Sequence, residues 1–480
     1  MSGNLFNFLN LSPSMFDRLI NPENVAVVGA STNPKKIGYV VVKNLKHNGY
    51  AGNVYPINPK GGELLGYRIY KSIEEVPEAK IDLAVITLPA ELTVKIFESV
   101  AKKSRFIIPI AGGFGETGEE GKKMEEEIKR IAVKYGTRII GPNTVGIYVP
   151  RTGVNTALVV PERSRFPGNG DIAFITQSGA LGLLTMDSVS MYDVGFSAFI
   201  NLGNRVDVNE NELLKYFGED DKSRVVIMYI ESFADGREFM KVAREISQKK
   251  PLVVLKAGRT KRGGKAASLH TGALGGSDAV ADGAFKQCGA IRAYDEIELV
   301  DYARALAYGK PIYGDRVAVV TSAGGVGVVT TDYIESEVRG IGMKMADLSD
   351  EIKRMIKEEV VPFASVENPI DMTAQASDED YDGVLAALNR DPNVDAILVY
   401  ALFQTPLISE KLVDIITKWH REGDKPIVVG SIGSEFALKM MKKFEKNKVP
   451  VYPSIERSVK ALRVLRERAK ILDYLKEGGK

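Results

Sequence analysis

The 480-residue chain has one cysteine, one tryptophan and three histidines. A single thiol, Cys288, excludes an internal disulfide and any cysteine cage for a metal, and it suits a reducing cytosol. His47, His270 and His420 share no H-E-x-x-H or similar spacing, so no metal centre is expected. There is no long uninterrupted apolar run. The apolar residues near the start (Leu5, Phe6, Phe8, Leu9, Leu11) have no basic segment before them. Neither a signal peptide nor a transmembrane helix is expected, and the chain reads as cytoplasmic with no membrane partner. Charge of one sign is missing too: 64 basic residues face 62 acidic ones, a net +2. That balance gives no reason to expect nucleic acid as a partner.

What remains is an ordinary globular composition, 44% hydrophobic and 26% charged, in a length that suggests about three domains. Residues 24–145 alternate apolar runs (Val25–Gly29, Asn53–Ile57, Leu83–Thr87, Phe106–Ile110, Arg138–Ile140) with amphipathic stretches such as Gly38–His47 and Glu116–Tyr135. Buried runs separated by helices predict a parallel sheet covered on both faces. The pattern restarts twice: at Ile172–Thr176, Val225–Ile230 and Pro251–Lys256, and again at Val317–Thr321, Ala396–Tyr400 and Pro426–Gly430. The last two units look like copies, since Ile172–Gly182 aligns with Val317–Gly327 and Pro251–Val254 with Pro426–Val429. Unequal spacing between the strands makes this a domain-level repeat and not a solenoid. Linkers are expected near Pro150–Gly170 and Ala307–Gly314. The domains are drawn at 1–147, 148–308 and 309–480.

The stretch with most chemical content is Lys261–Gly276, with five glycines, no acid and His270. It suits wrapping an anion better than packing a core. A P-loop is rejected, because G-x-x-x-x-G-K-[ST] needs lysine at 264 and Ser or Thr at 265, where Gly264 and Lys265 stand. A lone histidine in a glycine loop is otherwise an exposed bystander. Glu231, at the end of Val225–Ile230, could accept the Nδ1 hydrogen of an imidazole and leave Nε2 to attack; the plain alternative is an acid at a helix start. Ser178, Gly179 and Ala180 open a helix whose N–H groups suit a phosphate, with an ordinary serine N-cap as the alternative.

In the first unit only Gly29 fits the dinucleotide fingerprint, with Ser31 at the second glycine position and Gly38 further on. The second strand ends in Asn58-Pro59-Lys60 instead of the acid that would hold an NAD ribose. With Lys35 and Lys36 beside the turn, coenzyme A fits better, although the lysines could be plain solvated charges. Thr87, Pro89 and Gly112 lie at the same carboxyl edge of the sheet, where ligands bind in open α/β folds. Asn143, in Gly141-Pro142-Asn143, could donate to a developing oxyanion, or be a turn residue after proline.

These segments resemble the α subunit of ADP-forming acetyl-CoA (acyl-CoA) synthetase, in the superfamily of succinyl-CoA synthetase. The resemblance covers about residues 15–470 and rests on Ser268–Gly276, Thr176–Gly182, Tyr229–Ser232 and Gly141–Asn143. It implies a Rossmann-like CoA-binding domain followed by two flavodoxin-like domains. It also implies a reaction in which acyl-CoA, phosphate and ADP give acid, CoA and ATP. An acyl phosphate forms first, and its phosphoryl group moves to His270 on a mobile loop. The family pairs the residue matching Glu231 with that histidine and holds phosphate at the helix start matching Ser178–Ala180; Gly272 joins them as a phosphate-binding expectation. With three α/β units filling the chain, no segment is left for the family's ATP-grasp module. An ATP-grasp β subunit carrying Mg2+ with ADP or ATP is therefore expected, in an α2β2 assembly. Two other readings stay open: a CoA- or acyl-CoA-binding protein without turnover, and a nicotinamide oxidoreductase using residues 24–145.

Overall fold

A computed structural model describes residues 14–265, 277–336 and 342–478. They form an α/β structure in two compact units: residues up to Ser190 with Gly195–Cys288, and Met191–Val194 with Gly289 onward.

The first unit holds two parallel-cored sheets. In the first, the strand order is Asn53–Ile57, Asn24–Val28, Ile81–Ile86, Ser104–Pro109, Arg138–Ile139, and every neighbouring pair is parallel. The strands Asn24–Val28 and Ile81–Ile86 are buried along their whole length, as expected where helices cover both faces. Helix Ile37–His47 follows the first strand, Ala90–Lys103 the third, and Glu119–Tyr135 the fourth. The last of these ends at Gly136 in a left-handed cap.

The second sheet is built on parallel strands Phe196–Asn201, Asn169–Thr176, Val225–Ile230 and Leu252–Lys256. Strand Phe196–Asn201, which follows helix Gly179–Val189, is absent from the strands expected from sequence. It also pairs antiparallel with Ile147–Val149, which turns back on Val154–Asn155. The Pro150–Gly170 stretch read as a linker thus contains a strand of this sheet.

The second unit repeats the scheme. Strands Arg316–Thr321, Ala396–Tyr400, Ile427–Gly430 and Val451–Tyr452 run parallel. Helices Asp378–Arg390, Lys411–Glu422 and Glu435–Lys446 bury Tyr381, Leu385, Ile416, Met440 and Phe444 in one apolar core. Ala307 is buried in helix Glu296–Tyr308, so the expected linker starts only after that helix. Arg304, on the same helix, is 1% exposed. Its guanidinium donates to Asp301 at 3.2 Å, to the Val451 carbonyl at 2.7 Å and to Glu445. No described helix is long and apolar enough to cross a membrane.

Candidate active site

The carboxyl edge of the first sheet forms a turn whose backbone is held from several sides. Gly29 has φ +93°, and a Cβ there would lie 2.8 Å from Thr87 Oγ1. The Thr87 hydroxyl sits 3.1 Å from both the Val28 and Gly29 carbonyls, to which it donates. The Asn58 amide donates to the Ala30 carbonyl at 2.8 Å and its oxygen accepts from the Lys60 N–H. Ser31 Oγ accepts from the Asn33 N–H, and Asn33 Oδ1 from the Lys35 N–H. Ser31, Asn58 and Thr87 thus shape the turn through its backbone. Lys35, Lys36, Lys60, Pro89 and Gly112 are exposed at this edge.

Gly38 is the point of closest approach. A Cβ on it would sit 2.2 Å from the Gly29 carbonyl oxygen, so only glycine lets helix Ile37–His47 start against the turn. No side chain caps that helix, and its first turn holds no acid. Its leading N–H groups and dipole therefore face the turn as an anion seat. This cradle fits a phosphate-bearing ligand.

In the second sheet, helix Gly179–Val189 starts directly after strand Asn169–Thr176. Ser178 Oγ accepts from the Leu181 N–H at 3.4 Å, a long bond, and the first turn has no acid. The Ser178 cap takes the Leu181 N–H alone, and Gly179 and Ala180 lead the helix ahead of it. Glu231 is 5% exposed at the end of Val225–Ile230. The Tyr229 hydroxyl donates to Glu231 Oε1 at 3.3 Å, and burial, then the Glu231 charge, raise that hydroxyl above its usual range.

Gln177 holds the Glu231 turn from one side, accepting from the Glu231 and Ser232 N–H groups at 2.7 and 3.1 Å and donating to the Ser232 carbonyl at 2.7 Å. Arg205 holds it from the other, donating to the Ser232 carbonyl at 2.7 Å and to Glu210 at 2.8 Å. Gln177 links the turn before helix Gly179–Val189 to the turn bearing the acid, so Ser178 and Glu231 share one hydrogen-bonded frame. His270 and Gly272 lie outside the described residues.

Asn143 has φ +54° and an exposed side chain. Its amide donates to Asn204 Oδ1 at 3.1 Å. Asn204 in turn donates through its own amide to Glu116 and, at 2.7 Å, to Glu125. Its backbone N–H donates to the Pro142 carbonyl. Thr144 next door donates to Asn201, whose amide donates to the Thr176 carbonyl at 3.0 Å. The sheet edge carrying Asn143 is thereby fixed to the strand end carrying Ser178. Gln177, Asn201, Asn204, Arg205 and Glu116 have no role in the sequence reading. The acid inside the glycine-rich 112–118 loop was the one available signal. The two asparagines follow a strand that carries no periodic mark.

Three family models match the chain in order: a CoA binding domain over residues 23–150, a succinyl-CoA ligase like flavodoxin domain over 169–306, and a ligase-CoA domain over 317–471. The α subunit of ADP-forming acetate–CoA ligase I from Pyrococcus furiosus is 40% identical over 460 residues, covering 94% of this chain and 96% of that one. ADP-forming acetate–CoA ligase I from Archaeoglobus fulgidus is 35% identical; the match covers 95% of this chain but 64% of that longer protein. Among solved structures, the Ca. Korarchaeum cryptofilum dinucleotide forming acetyl-coenzyme A synthetase 1, in complex with phosphate and ADP, superposes with a TM-score of 0.87 at 34% identity. That match covers 96% of this chain and 98% of the other.

Proposed function

The chain belongs to the family of ADP-forming acetate–CoA ligase α subunits, and from that premise we propose how its residues divide the work. CoA lies across the carboxyl edge of the first sheet. Its phosphates meet the helix start at Gly38 and the turn from Gly29, with Lys35, Lys36 and Lys60 as counter-charges. Inorganic phosphate attacks the acyl thioester carbon. The C–S bond breaks, CoA leaves as the thiol after taking a proton, and an acyl phosphate remains. Asn143 donates to the carbonyl oxygen as it gains charge.

Nε2 of His270 then attacks the phosphorus, and the P–O bond to the acyl group breaks, releasing the carboxylate. Glu231 accepts the Nδ1 hydrogen and balances the imidazolium that develops. The N–H groups of Gly179 and Ala180, with Gly272, hold the phosphoryl oxygens. The phosphoryl group finally passes from His270 to ADP. That step belongs to a partner β subunit of ATP-grasp type, which supplies Mg2+ with the nucleotide; the assembly is α2β2 in the cytoplasm. The Archaeoglobus ADP-forming ligase is longer than this chain, which supports a further chain completing the activity here.

The observation that carries this reading is the frame built by Gln177, which ties the start of helix Gly179–Val189 to the backbone of the turn bearing the buried Glu231. Intact mass and peptide mapping after incubation with acetyl-CoA and phosphate test it. One phosphoryl group on the peptide containing His270 is expected, with none in His270→Ala. In wild type, adding the β subunit and ADP should discharge it. Label on another residue in His270→Ala would overturn the assignment.

A further inference from the structure

Asn143 acts in the proposed reaction only if its amide nitrogen, and not its oxygen, faces a fixed acceptor. An asparagine side chain is symmetric enough in shape to sit either way round, so its partners decide its polarity. Here the decision is made two hydrogen bonds away. Glu116 spends one carboxylate oxygen on the Gly113 and Phe114 N–H groups, and its other oxygen accepts from Asn204. Glu125, on helix Glu119–Tyr135, accepts from the same Asn204 nitrogen at 2.7 Å. The Glu116 carboxylate can only accept, so Asn204 must turn its Nδ2 to it and its Oδ1 to Asn143; Glu125, whose carboxyl is pushed up by burial and by the neighbouring Glu116 charge, lies on the same nitrogen. Asn143 then has to present Nδ2 to Asn204, as the 3.1 Å contact shows. One Nδ2 hydrogen is spent there and the second is left for a ligand. The carboxylate charge needed for this is supported locally: burial pushes Glu116 up, but the bonds from Asn204 and the Gly113 and Phe114 N–H groups outweigh it and leave its carboxyl below the usual range.

The geometry points to Glu116 and Asn204 as positioning residues that set the polarity of the Asn143 amide at the thioester carbonyl. This rests on the reading of Asn143 given above.

The test uses the complete α–β enzyme with acetyl-CoA, phosphate and ADP. Asn143→Ala should lower kcat about 100-fold, and Asn204→Leu roughly 10-fold or more. The double variant should be no slower than Asn143→Ala alone, because both remove one interaction. KM for phosphate and for acetyl-CoA should stay within about twofold, which a general loosening of the site would not leave untouched. Glu116→Gln provides a second route should Asn204→Leu fold poorly. Its single carbonyl is held by the two backbone N–H groups, so it turns an NH2 toward Asn204 and opposes the polarity that Glu125 still supports; a loss in the same direction, smaller than that of Asn204→Leu, is expected. If Asn143→Ala is slow while Asn204→Leu and Glu116→Gln keep full kcat, the positioning role is refuted and Asn143 stands. If Asn143→Ala keeps full kcat, the underlying reading fails and this inference fails with it. Multiplying losses in the double variant also refute the relay.

Discussion

Replacing Gly38 by alanine tests the CoA cradle at the point where it has least room. The new methyl group would lie 2.2 Å from the Gly29 carbonyl oxygen and 2.9 Å from the Ala30 Cα. Both are backbone atoms of the strand end, so no side chain can swing away. The start of helix Ile37–His47 must retreat by roughly 1 Å in a close-packed region. Overpacking of that kind costs about 1–3 kcal/mol. Alanine returns up to about 1 kcal/mol through helix propensity, so a net loss of about 1–2 kcal/mol is expected in the first unit. The helix N–H groups also withdraw from the bound phosphate. Losing one charge-assisted hydrogen bond, about 1.5–3 kcal/mol, weakens CoA about 10-fold or more.

Gly283, in helix Asp278–Cys288, is the control. A Cβ there meets nothing within 4 Å, so Gly283→Ala should stabilise by about 0.5–1 kcal/mol. Isothermal titration with CoA reads the affinity, and denaturation followed by far-ultraviolet circular dichroism reads stability. Tryptophan fluorescence is the wrong probe, since Trp419 belongs to the second unit. The reasoning is refuted if Gly38→Ala binds CoA like wild type and shifts stability in the same direction as Gly283→Ala.

Other outcomes can be checked in parallel. Glu231→Gln keeps the shape but not the charge of the buried acid, and should slow phosphoryl transfer to His270 about 100-fold or more in rapid-quench labelling while CoA affinity stays unchanged. Arg304→Met strands the Glu445 carboxylate in the core of the second unit and should destabilise it by about 3–5 kcal/mol, read by Trp419 fluorescence during denaturation. His420 donates or accepts at the Tyr308 carbonyl; burial lowers its pKa, and Lys310 and Arg421 add to the effect against backbone bonds that raise it. The unfolded chain therefore binds a proton that the folded chain resists. Stability is fully present above about pH 6.5 and falls as the pH drops through the folded value; His420→Gln should flatten that limb of a denaturation series between about pH 7.5 and 5.5.

The buried strands were legible because their apolar runs stand between amphipathic helices. Asn53–Ile57, Val225–Ile230 and Ala396–Tyr400 begin and end where the runs do. Phe196–Asn201 was not legible. It is wholly buried, yet its residues mix serine, alanine and asparagine with phenylalanine, and the helix ahead of it, Gly179–Val189, is apolar nearly all round and marks no amphipathic boundary. That strand carries the loop to Asn204 and Arg205, so a missed element hid two supports of the site. Glu116 and Asn204 lie 88 residues apart; no periodicity connects them, and only the folded backbone brings them together. Lys261–Gly276 drew notice for the opposite reason, as a local concentration of glycine around one histidine.

The first two sheets are distinct in topology, yet the polar ties between them leave no clean seam. Arg138 of the first sheet donates to Asp207, in the loop after strand Phe196–Asn201, and to Glu212 on helix Glu210–Glu219, Thr144 reaches Asn201, and Asn204 is fastened to Pro142. A crossover made near residue 147, by recombination or by a protein engineer, would part all of these at once and leave charged groups without their counterparts. The two sheets' cores fall in one compact unit. A first sheet borrowed from another protein would therefore have to arrive together with the second-sheet residues that these ties hold in place.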